Sequence, residues 1–148
     1  MLEINNTTSE KIDSKKLGAI AAKFARAYKL KDGLSLAIVG PTRIKSLNRD
    51  YRGLDQPTDV LSFVSEQEII INIADTKRIS KYREMLAEIG IDSGLIKTAA
   101  GQKKLGEYLL YFLFVHGLLH LAGYDDKTEP GRLEMIRKGK EFLDKAGF

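Results

Sequence analysis

Apolar residues recur along much of this chain every three or four positions, a spacing typical of helices that bury one face. In the clearest case Leu17, Ile20, Phe24 and Tyr28 follow this spacing, so we predict a helix over residues 14–28. Four more segments combine helical spacing with start or stop signals, at about residues 42–50, 76–89, 102–121 and 129–145. The chain is therefore expected to be rich in helix.

Shorter runs that are rich in β-branched residues separate these helices and predict strands. They lie at residues 1–5, 34–39, 60–65 and 68–73. Residues 90–101 contain three glycines and predict a flexible loop. No repeat or second domain appears, so we expect residues 1–148 to form one α+β domain. Its small mixed β-sheet should be covered by helices, with the helix at 102–121 in the centre.

Composition excludes several classes of protein. A chain of 148 residues is long enough to bury a core without disulfides, and the absence of cysteine excludes disulfides, thiolate metal ligands and a cysteine nucleophile. The polar amino terminus lacks the apolar core of a signal peptide, so we expect a cytoplasmic protein. The apolar run 105–121 is short for a membrane span and contains Glu107 and both histidines, so no membrane contact is expected. The net charge of +4 permits nucleic-acid binding without demonstrating it.

The candidate chemistry lies in residues 116–126, which contain the only two histidines. His116 and His120 are four residues apart, so on a helix they project from one face, one turn apart. Gly123 is expected to end the helix and to let the chain turn back, so that Asp126 completes the coordination. Two histidines and one carboxylate, with a fourth position left for water, match a catalytic zinc site rather than a closed structural one.

Two alternatives remain open at this point. The histidines could be partly buried imidazoles that bond the backbone without any metal. Asp125 also competes with Asp126 as the third ligand, although an aspartate in this position often holds a turn by hydrogen bonding.

A second segment adds specificity. Residues 48–63 read Asn-Arg-Asp-Tyr-Arg-Gly-Leu-Asp-Gln-Pro-Thr-Asp-Val-Leu-Ser-Phe, and residues 116–126 read His-Gly-Leu-Leu-His-Leu-Ala-Gly-Tyr-Asp-Asp. Together they resemble the YbeY family of bacterial endoribonucleases, also called rRNA maturation factors. That family carries Asn-x-x-Tyr-Arg-x-x-Asp-x-Pro-Thr-Asp-Val-Leu-Ser-Phe and His-Gly-x-Leu-His-Leu-x-Gly-Tyr-Asp-His. Every fixed position matches except the last, where the family's third zinc-binding histidine is Asp126 here. Carboxylate oxygen is also an acceptable zinc ligand.

The resemblance implies a zincin-like fold of the YbeY type and a metal-dependent endoribonuclease specific for single strands. The family acts in 3′-end maturation of small-subunit (16S) rRNA and in ribosome quality control, so ribosomal RNA and the ribosome or its assembly proteins are the implied partners. By this resemblance His116, His120 and Asp126 would hold one zinc ion. Arg52 and His116 would be catalytic, and Arg52 and Tyr124 would contact RNA.

Two residues bear on the type of reaction. Zinc proteases with a His-Glu-x-x-His motif use its glutamate as general base, whereas this chain has Gly117 there, which argues against peptide hydrolysis. Arg52 can grip a phosphate with two parallel hydrogen bonds. Its ordinary alternative is a surface ion pair with Asp55 or Asp59.

The remaining candidates have an ordinary structural reading as well. Tyr51, Phe63 and Tyr124 could stack on unpaired bases, but core packing is the expected role of each. The turn before the third strand, at residues 55–59, is expected to be held by proline and by side-chain hydrogen bonds, and Asn48 to bond nearby backbone. Two other functions stay open, a ribosome-associated factor that has lost catalysis and a zinc hydrolase for another substrate.

Overall fold

The computed structural model describes residues 2–91 and 93–148, and for Ser93 the backbone alone. Its sheet has four strands, which are β1 (Glu3–Asn6), β2 (Ser35–Val39), β3 (Val60–Phe63) and β4 (Glu68–Asn72). The strand order is β1-β2-β4-β3. Strands β1, β2 and β4 run parallel to one another, and β3 runs antiparallel to β4. The prediction of a mixed sheet is therefore confirmed. Because β3 lies at an edge, one side of its backbone has no partner strand among the described residues.

Five α-helices accompany the sheet in the described residues. They are α1 (Ser14–Tyr28), α2 (Pro41–Arg52), α3 (Arg83–Glu88), α4 (Ala99–Leu121) and α5 (Glu129–Ala146). Side chains cap three of them, since Asp13 accepts a bond from the amide of Lys16, and Thr98 and Thr128 accept from the amides of Gly101 and Gly131. The α+β prediction is confirmed, and α1, α2, α4 and α5 lie close to their predicted positions.

The helix predicted at 76–89 is confirmed only at residues 83–88, where α3 lies, and is wrong for the residues before them. Two 3₁₀ turns, Ile73–Lys77 and Ile79–Tyr82, precede the short helix α3. Apolar residues three apart, such as Ile79 and Tyr82, suit a 3₁₀ turn as well as an α-helix, so their spacing does not distinguish the two. The side chain of Asn72 also accepts a bond from the amide of Ala74 at 3.2 Å, which starts the first turn outside the predicted range.

The flexible loop predicted at 90–101 is also wrong for the residues described. A 3₁₀ turn at Ser93–Lys97 leads directly into α4 at Ala99. Gly101 packs against the backbone of this turn, and a Cβ atom at Gly101 would lie 2.0 Å from the carbonyl oxygen of Leu95. This glycine therefore permits a close contact instead of a mobile loop.

The helices cover the two sheet faces unequally. The larger core joins α1, α4 and α5 to one face, whereas α2 alone packs on the other face through Ile44 and Leu47 against Val39, Leu61 and Ile70. Helix α4 is the central element, since residues 109–115 are buried on all sides. In the described residues no helix combines the length and the hydrophobicity needed to cross a membrane.

A single close contact sets the height of α4 above the sheet. Gly117 lies against Ile69 of β4, and a Cβ atom at Gly117 would be 2.8 Å from Cγ2 of Ile69. The hydroxyl of Ser62 in β3 donates to the carbonyl oxygen of Gly117 at 3.4 Å. The last turns of α4 are thus held beside the edge strand.

Candidate metal centre

His116 and His120 lie on the last two turns of α4, on one face of the helix. Their ring centroids are 4.9 Å apart, and the ring planes are nearly perpendicular at 84°. Both side chains are mostly buried, with 16% of His116 and 25% of His120 exposed. The four-residue spacing therefore presents two imidazoles at the end of a buried helix, as predicted.

A tight turn after α4 brings the third group back to them. Gly123 has a φ of +101°, and the amide of Tyr124 donates to the carbonyl oxygen of Leu119 at 3.0 Å. This left-handed glycine and the 6→1 bond are typical of a helix terminus. Asp125 then holds the turn, because its Oδ1 accepts a hydrogen bond from the amide of Lys127 at 3.1 Å.

The turn brings Asp126, rather than Asp125, to the histidines. Asp126 Oδ2 is 3.2 Å from His116 Nε2 and 3.8 Å from His120 Nε2. One ligand atom from each of the three residues lies within 4.8 Å of the other two. His116, His120 and Asp126 therefore form a group that can bind a metal ion.

The separations fit a zinc ion. Zinc binds nitrogen and oxygen ligands at ~2.0–2.2 Å in a tetrahedron, which puts two ligand atoms roughly 3.3 Å apart. The two measured separations, 3.2 and 3.8 Å, lie near this value. Nitrogen and carboxylate oxygen are also the ligand types that zinc accepts.

The turn also orients His120 through the backbone. Its Nδ1 lies 3.0 Å from the carbonyl oxygen of Tyr124. A carbonyl oxygen can only accept, so Nδ1 carries the proton and Nε2, on the side of Asp126, keeps its lone pair. A metal-binding histidine usually has such a partner on its second nitrogen, which fixes the tautomer and the ring direction.

Electrostatics favour the protonation states that a metal needs at Asp126 and His120. The hydrogen bond with His116 is the main cause that lowers the pKa of Asp126 from 3.8 to about 2. Burial lowers the pKa of His120 below 6.5, and the neighbouring His116 adds to this, although Asp126 opposes it. At neutral pH the carboxylate is therefore ionised and His120 is neutral, as ligands must be.

Arg52 is the last residue of α2, and its side chain is exposed to solvent. Within residues 2–91 and 93–148 it forms no ion pair with Asp55 or Asp59. Asp59 is engaged elsewhere, because its Oδ1 accepts from the amide of Val60 at 2.7 Å and its Oδ2 from the hydroxyl of Tyr82 at 3.1 Å. The alternative of a surface ion pair is therefore wrong in this structure, and the guanidinium is available to a ligand.

Hydrogen bonds from α2 and from β4 hold the predicted turn between α2 and β3. Asn48 Nδ2 donates to the carbonyl oxygen of Gln56 at 2.9 Å, as expected of an amide bonding nearby backbone. From β4, Asn72 donates to the carbonyl oxygens of Thr58 and Asp59 at 3.2 and 2.8 Å. These bonds fix the backbone that follows Arg52.

Two residues of this support were missed from the sequence. Asn72 is buried at the end of β4, and Tyr82 joins Asp59 to the buried Asp75 by hydrogen bonds of 3.1 and 3.4 Å. Burial raises the pKa of Tyr82 well above its ordinary value, so its hydroxyl stays a donor. A polar residue inside an apolar strand, as at position 72, was the available signal for Asn72.

The three aromatic candidates have different surroundings. Core packing was the wrong prediction for Tyr51, which is 68% exposed and touches Phe63 edge to face at 5.0 Å between centroids. Phe63 is partly buried against the smaller core. Tyr124 is partly buried, meets the edge of Tyr28 at 6.2 Å, and has the Lys138 ammonium 5.3 Å from its ring centre.

Two cavities of the structure lie away from the histidines. One, of about 1020 Å³, runs between the start of α1 and the first half of α4. The other, of about 670 Å³, lies on the α2 side of the sheet and is bordered by Tyr51 and Phe63. Neither includes His116, His120 or Asp126 in its lining.

Known proteins resemble this chain over almost its entire length. A family model described as Endoribonuclease YbeY matches residues 3–147. An Endoribonuclease YbeY of Bacillus cytotoxicus is 40% identical over 85% of this chain and 81% of its own, and one of Geobacillus thermodenitrificans is 36% identical over 99% and 93%. The solution structure of a Thermotoga maritima protein is similar with a TM-score of 0.50 and 28% identity, covering 99% of this chain and 89% of that one.

Proposed function

This chain belongs to the YbeY family of endoribonucleases, and we propose that it cleaves single-stranded RNA with one zinc ion held by His116, His120 and Asp126. One observation carries the proposal: ligand atoms from these three residues lie within 4.8 Å of one another, at the end of a helix in a chain that matches the family over residues 3–147.

Each of the three residues has a defined part in holding the ion. The carboxylate of Asp126 is ionised well below neutral pH, and His120 presents Nε2 because its Nδ1 is bonded to the carbonyl oxygen of Tyr124. His116, whose Nε2 is 3.2 Å from Asp126, would act in catalysis as the third ligand. When bound, zinc lowers the pKa of a coordinated water towards ~7 and polarises a phosphoryl oxygen, which suits phosphodiester hydrolysis.

Arg52 would bind the scissile phosphate. A guanidinium forms two parallel hydrogen bonds to a phosphate and stabilises the negative charge that develops as the bond breaks. Its exposure and its lack of an ion pair in the described residues support this role, because no existing interaction must be broken first. The pinned turn at 55–59 would keep the end of α2 in place as RNA binds.

Tyr124 would contribute to RNA binding beside the metal. Its ring is partly exposed and the Lys138 ammonium lies 5.3 Å from the ring centre, so an aromatic surface and a positive charge occur together. This combination suits a nucleotide, which has a flat base and an anionic phosphate.

The biological substrate that we propose is ribosomal RNA. We propose that the protein acts in the cytoplasm on the 3′ end of the small-subunit (16S) rRNA and in ribosome quality control, bound to the ribosome or to assembly proteins. Family membership supports this assignment. Depletion of the protein should then cause rRNA precursors with an unprocessed 3′ end to accumulate.

The decisive experiment measures metal content and cleavage together. Protein purified without a histidine tag should contain about one zinc per chain and should cleave an unpaired RNA oligonucleotide but not the same sequence in a duplex. Chelation should abolish cleavage and added zinc should restore it, whereas His120→Ala should lose both metal and activity. Full cleavage by the chelated protein would refute a role for the metal, and a zinc-loaded protein that cleaves no RNA would instead favour a factor without catalysis or a different substrate.

A further inference from the structure

Three large hydrophobic side chains among the described residues are exposed to solvent, Tyr51 at 68%, Val64 at 58% and Leu54 at 42%. Tyr51 and Leu54 precede β3 in the chain and Val64 follows it directly, and the Tyr51 ring contacts Phe63 of that strand. Single exposed residues need no explanation, but several that lie together commonly mark a binding surface.

A groove runs beside Tyr51 across the face of the sheet that α2 only partly covers. Arg43, Leu47 and Tyr51 recur every four residues on α2 and form one wall of the groove. Ala37, Val39 and Ile70 of the sheet supply an apolar lining, and Phe63 stands next to Tyr51 at an interplanar angle of 65°. The cavity of about 670 Å³ is large enough for a flat aromatic group.

The edge strand links this groove to the metal group. Successive residues of a strand face opposite sides of a sheet, so Ser62 and Phe63 point in opposite directions. Ser62 bonds the carbonyl oxygen of Gly117, next to His116, while Phe63 contacts Tyr51. A single strand of RNA that crosses the free edge of β3 therefore meets both sites within a few residues of protein.

The charges near Tyr51 suit a phosphate backbone on one side only. Helix α2 contains Arg43, Lys45, Arg49 and Arg52 against a single acid, Asp50. Of these, Arg43 and Arg52 are exposed and form no ion pair in the part of the chain that the structure describes. Glu66 and Glu68 also line the groove and would repel phosphate. The phosphates should therefore follow α2, with a base directed into the groove.

We propose that Tyr51 and Phe63 form a stacking subsite for one unpaired base of the RNA, on the sheet face opposite the histidines. The inference rests on the proposed function, since it concerns how the same substrate is held away from the scissile phosphate. Every base has a flat aromatic face, so this subsite would bind an unpaired strand without reading its sequence. A paired base, enclosed in a duplex stack, could not enter it.

Binding titrations with 2′-O-methyl RNA oligonucleotides, checked for integrity after each run, test the subsite. Tyr51→Ala should raise the Kd about 5- to 150-fold, the range that removal of one base–aromatic stack gives. Tyr51→Phe, which keeps the ring, should bind like the original protein. Arg52→Ala should also bind weakly, but it should reduce the slope of log Kd against log salt by about 0.7, whereas Tyr51→Ala should leave that slope unchanged.

Oligonucleotides with one abasic position identify the stacked base. One position should weaken binding to the original protein and have no further effect on Tyr51→Ala. If Tyr51→Ala binds RNA as well as the original protein does, while Arg52→Ala binds weakly, the stacking subsite is overturned and the proposed function stays intact. The exposed hydrophobic residues would then be better explained as a contact for a protein partner. Failure of the original protein to bind any unpaired RNA would overturn both.

Discussion

The two segments that carry the family resemblance differ in how far their functional groups are already paired. In residues 116–126 the groups touch one another, since Asp126 contacts both histidines and His120 is also bonded to the backbone. In residues 48–63 the backbone is pinned, but Arg52 and Tyr51 extend into solvent.

The difference agrees with the ligand that the proposed function assigns to each region. A metal ion accepts ligands only within a few tenths of an ångström, so its ligands must be held by other bonds before it arrives. An RNA strand is flexible and brings its own charge and aromatic surfaces, so the protein can leave complementary groups free as long as their backbone is fixed. We therefore expect substitutions in the first region to affect metal and activity together, and those in the second to affect RNA alone.

The sharpest test of this division uses two neighbouring carboxylates. Asp126→Asn removes the ionised ligand, so we expect zinc loss and a fall in RNA cleavage of more than about 100-fold. Asp125→Asn is the matched control, because an amide oxygen can still accept the bond from Lys127 and hold the turn. Metal content by mass spectrometry and cleavage rates check both variants, and equal defects would mean that the turn, and not the ligand, matters.

Arg52 gives the next largest expected effect. Arg52→Ala should reduce kcat/KM for an unpaired RNA roughly 10- to 100-fold, and Arg52→Lys less, because lysine keeps the charge without the two-pronged geometry. Zinc content and melting temperature should not change, since no ion pair is broken in the described structure. If the Arg52 variants lose stability as well as activity, Arg52 has a structural role, and the contrast between the two segments does not hold for it.

The hydroxyl of Tyr82 tests how the turn at residues 55–59 is held. Tyr82→Phe removes the donor that joins Asp59 to Asp75, so the free energy of unfolding should fall by about 1–3 kcal/mol. Tyr108→Phe is the control, because the buried hydroxyl of Tyr108 has no hydrogen-bond partner among the described residues and its loss should be nearly neutral. Urea unfolding of both variants measures the difference, and equal stabilities would show that the carboxylates do not need Tyr82.

The smallest expected effect is on the stability of the protein at acidic pH. The pKa of Asp126 is lower in the folded chain, at about 2, than its ordinary 3.8, so its contribution to stability is present above about pH 4 and is lost as pH falls through about 2. With 41% of the side chain exposed, solvent screening should keep this contribution of the metal-free protein below about 1 kcal/mol. The free energy of unfolding of Asp126→Asn should therefore fall less steeply with decreasing pH than that of the original protein. Identical dependence on pH in the two proteins would contradict this expectation.

Local spacing singled out the residues of the metal group, although spacing alone left open metal-free histidines and Asp125 as the third ligand. A four-residue histidine spacing and a glycine turn are short-range features, and the structure brings Asp126 to His116 and His120 as they suggest. The strand and helix positions were also accessible, because apolar periodicity reports which face is buried.

Long-range contacts were not accessible in this way. The exposure of Tyr51 depends on α2 being the one helix that packs on its side of the sheet in the described part of the chain, which no local pattern reveals. The bonds from Tyr82 and Asn72 to the turn at 58–59 join residues that are 13 to 23 positions apart. The residues around Ile79 were assigned the wrong helix type, because tertiary bonds override a weak local preference there.

The contact between Gly117 and Ile69 also limits how this protein can evolve. A general base beside the first histidine would be one step towards a peptide-cleaving enzyme. Any side chain at position 117, however, would place its Cβ atom 2.8 Å from Cγ2 of Ile69 in β4, which is too close. That mutation would require either Ile69 or the end of α4 to shift, and a shift of α4 would move the histidines relative to β3. A smaller residue at position 69 would have to be fixed by drift beforehand, with no immediate advantage. The order of mutations thus separates the two activities even where their metal ligands coincide.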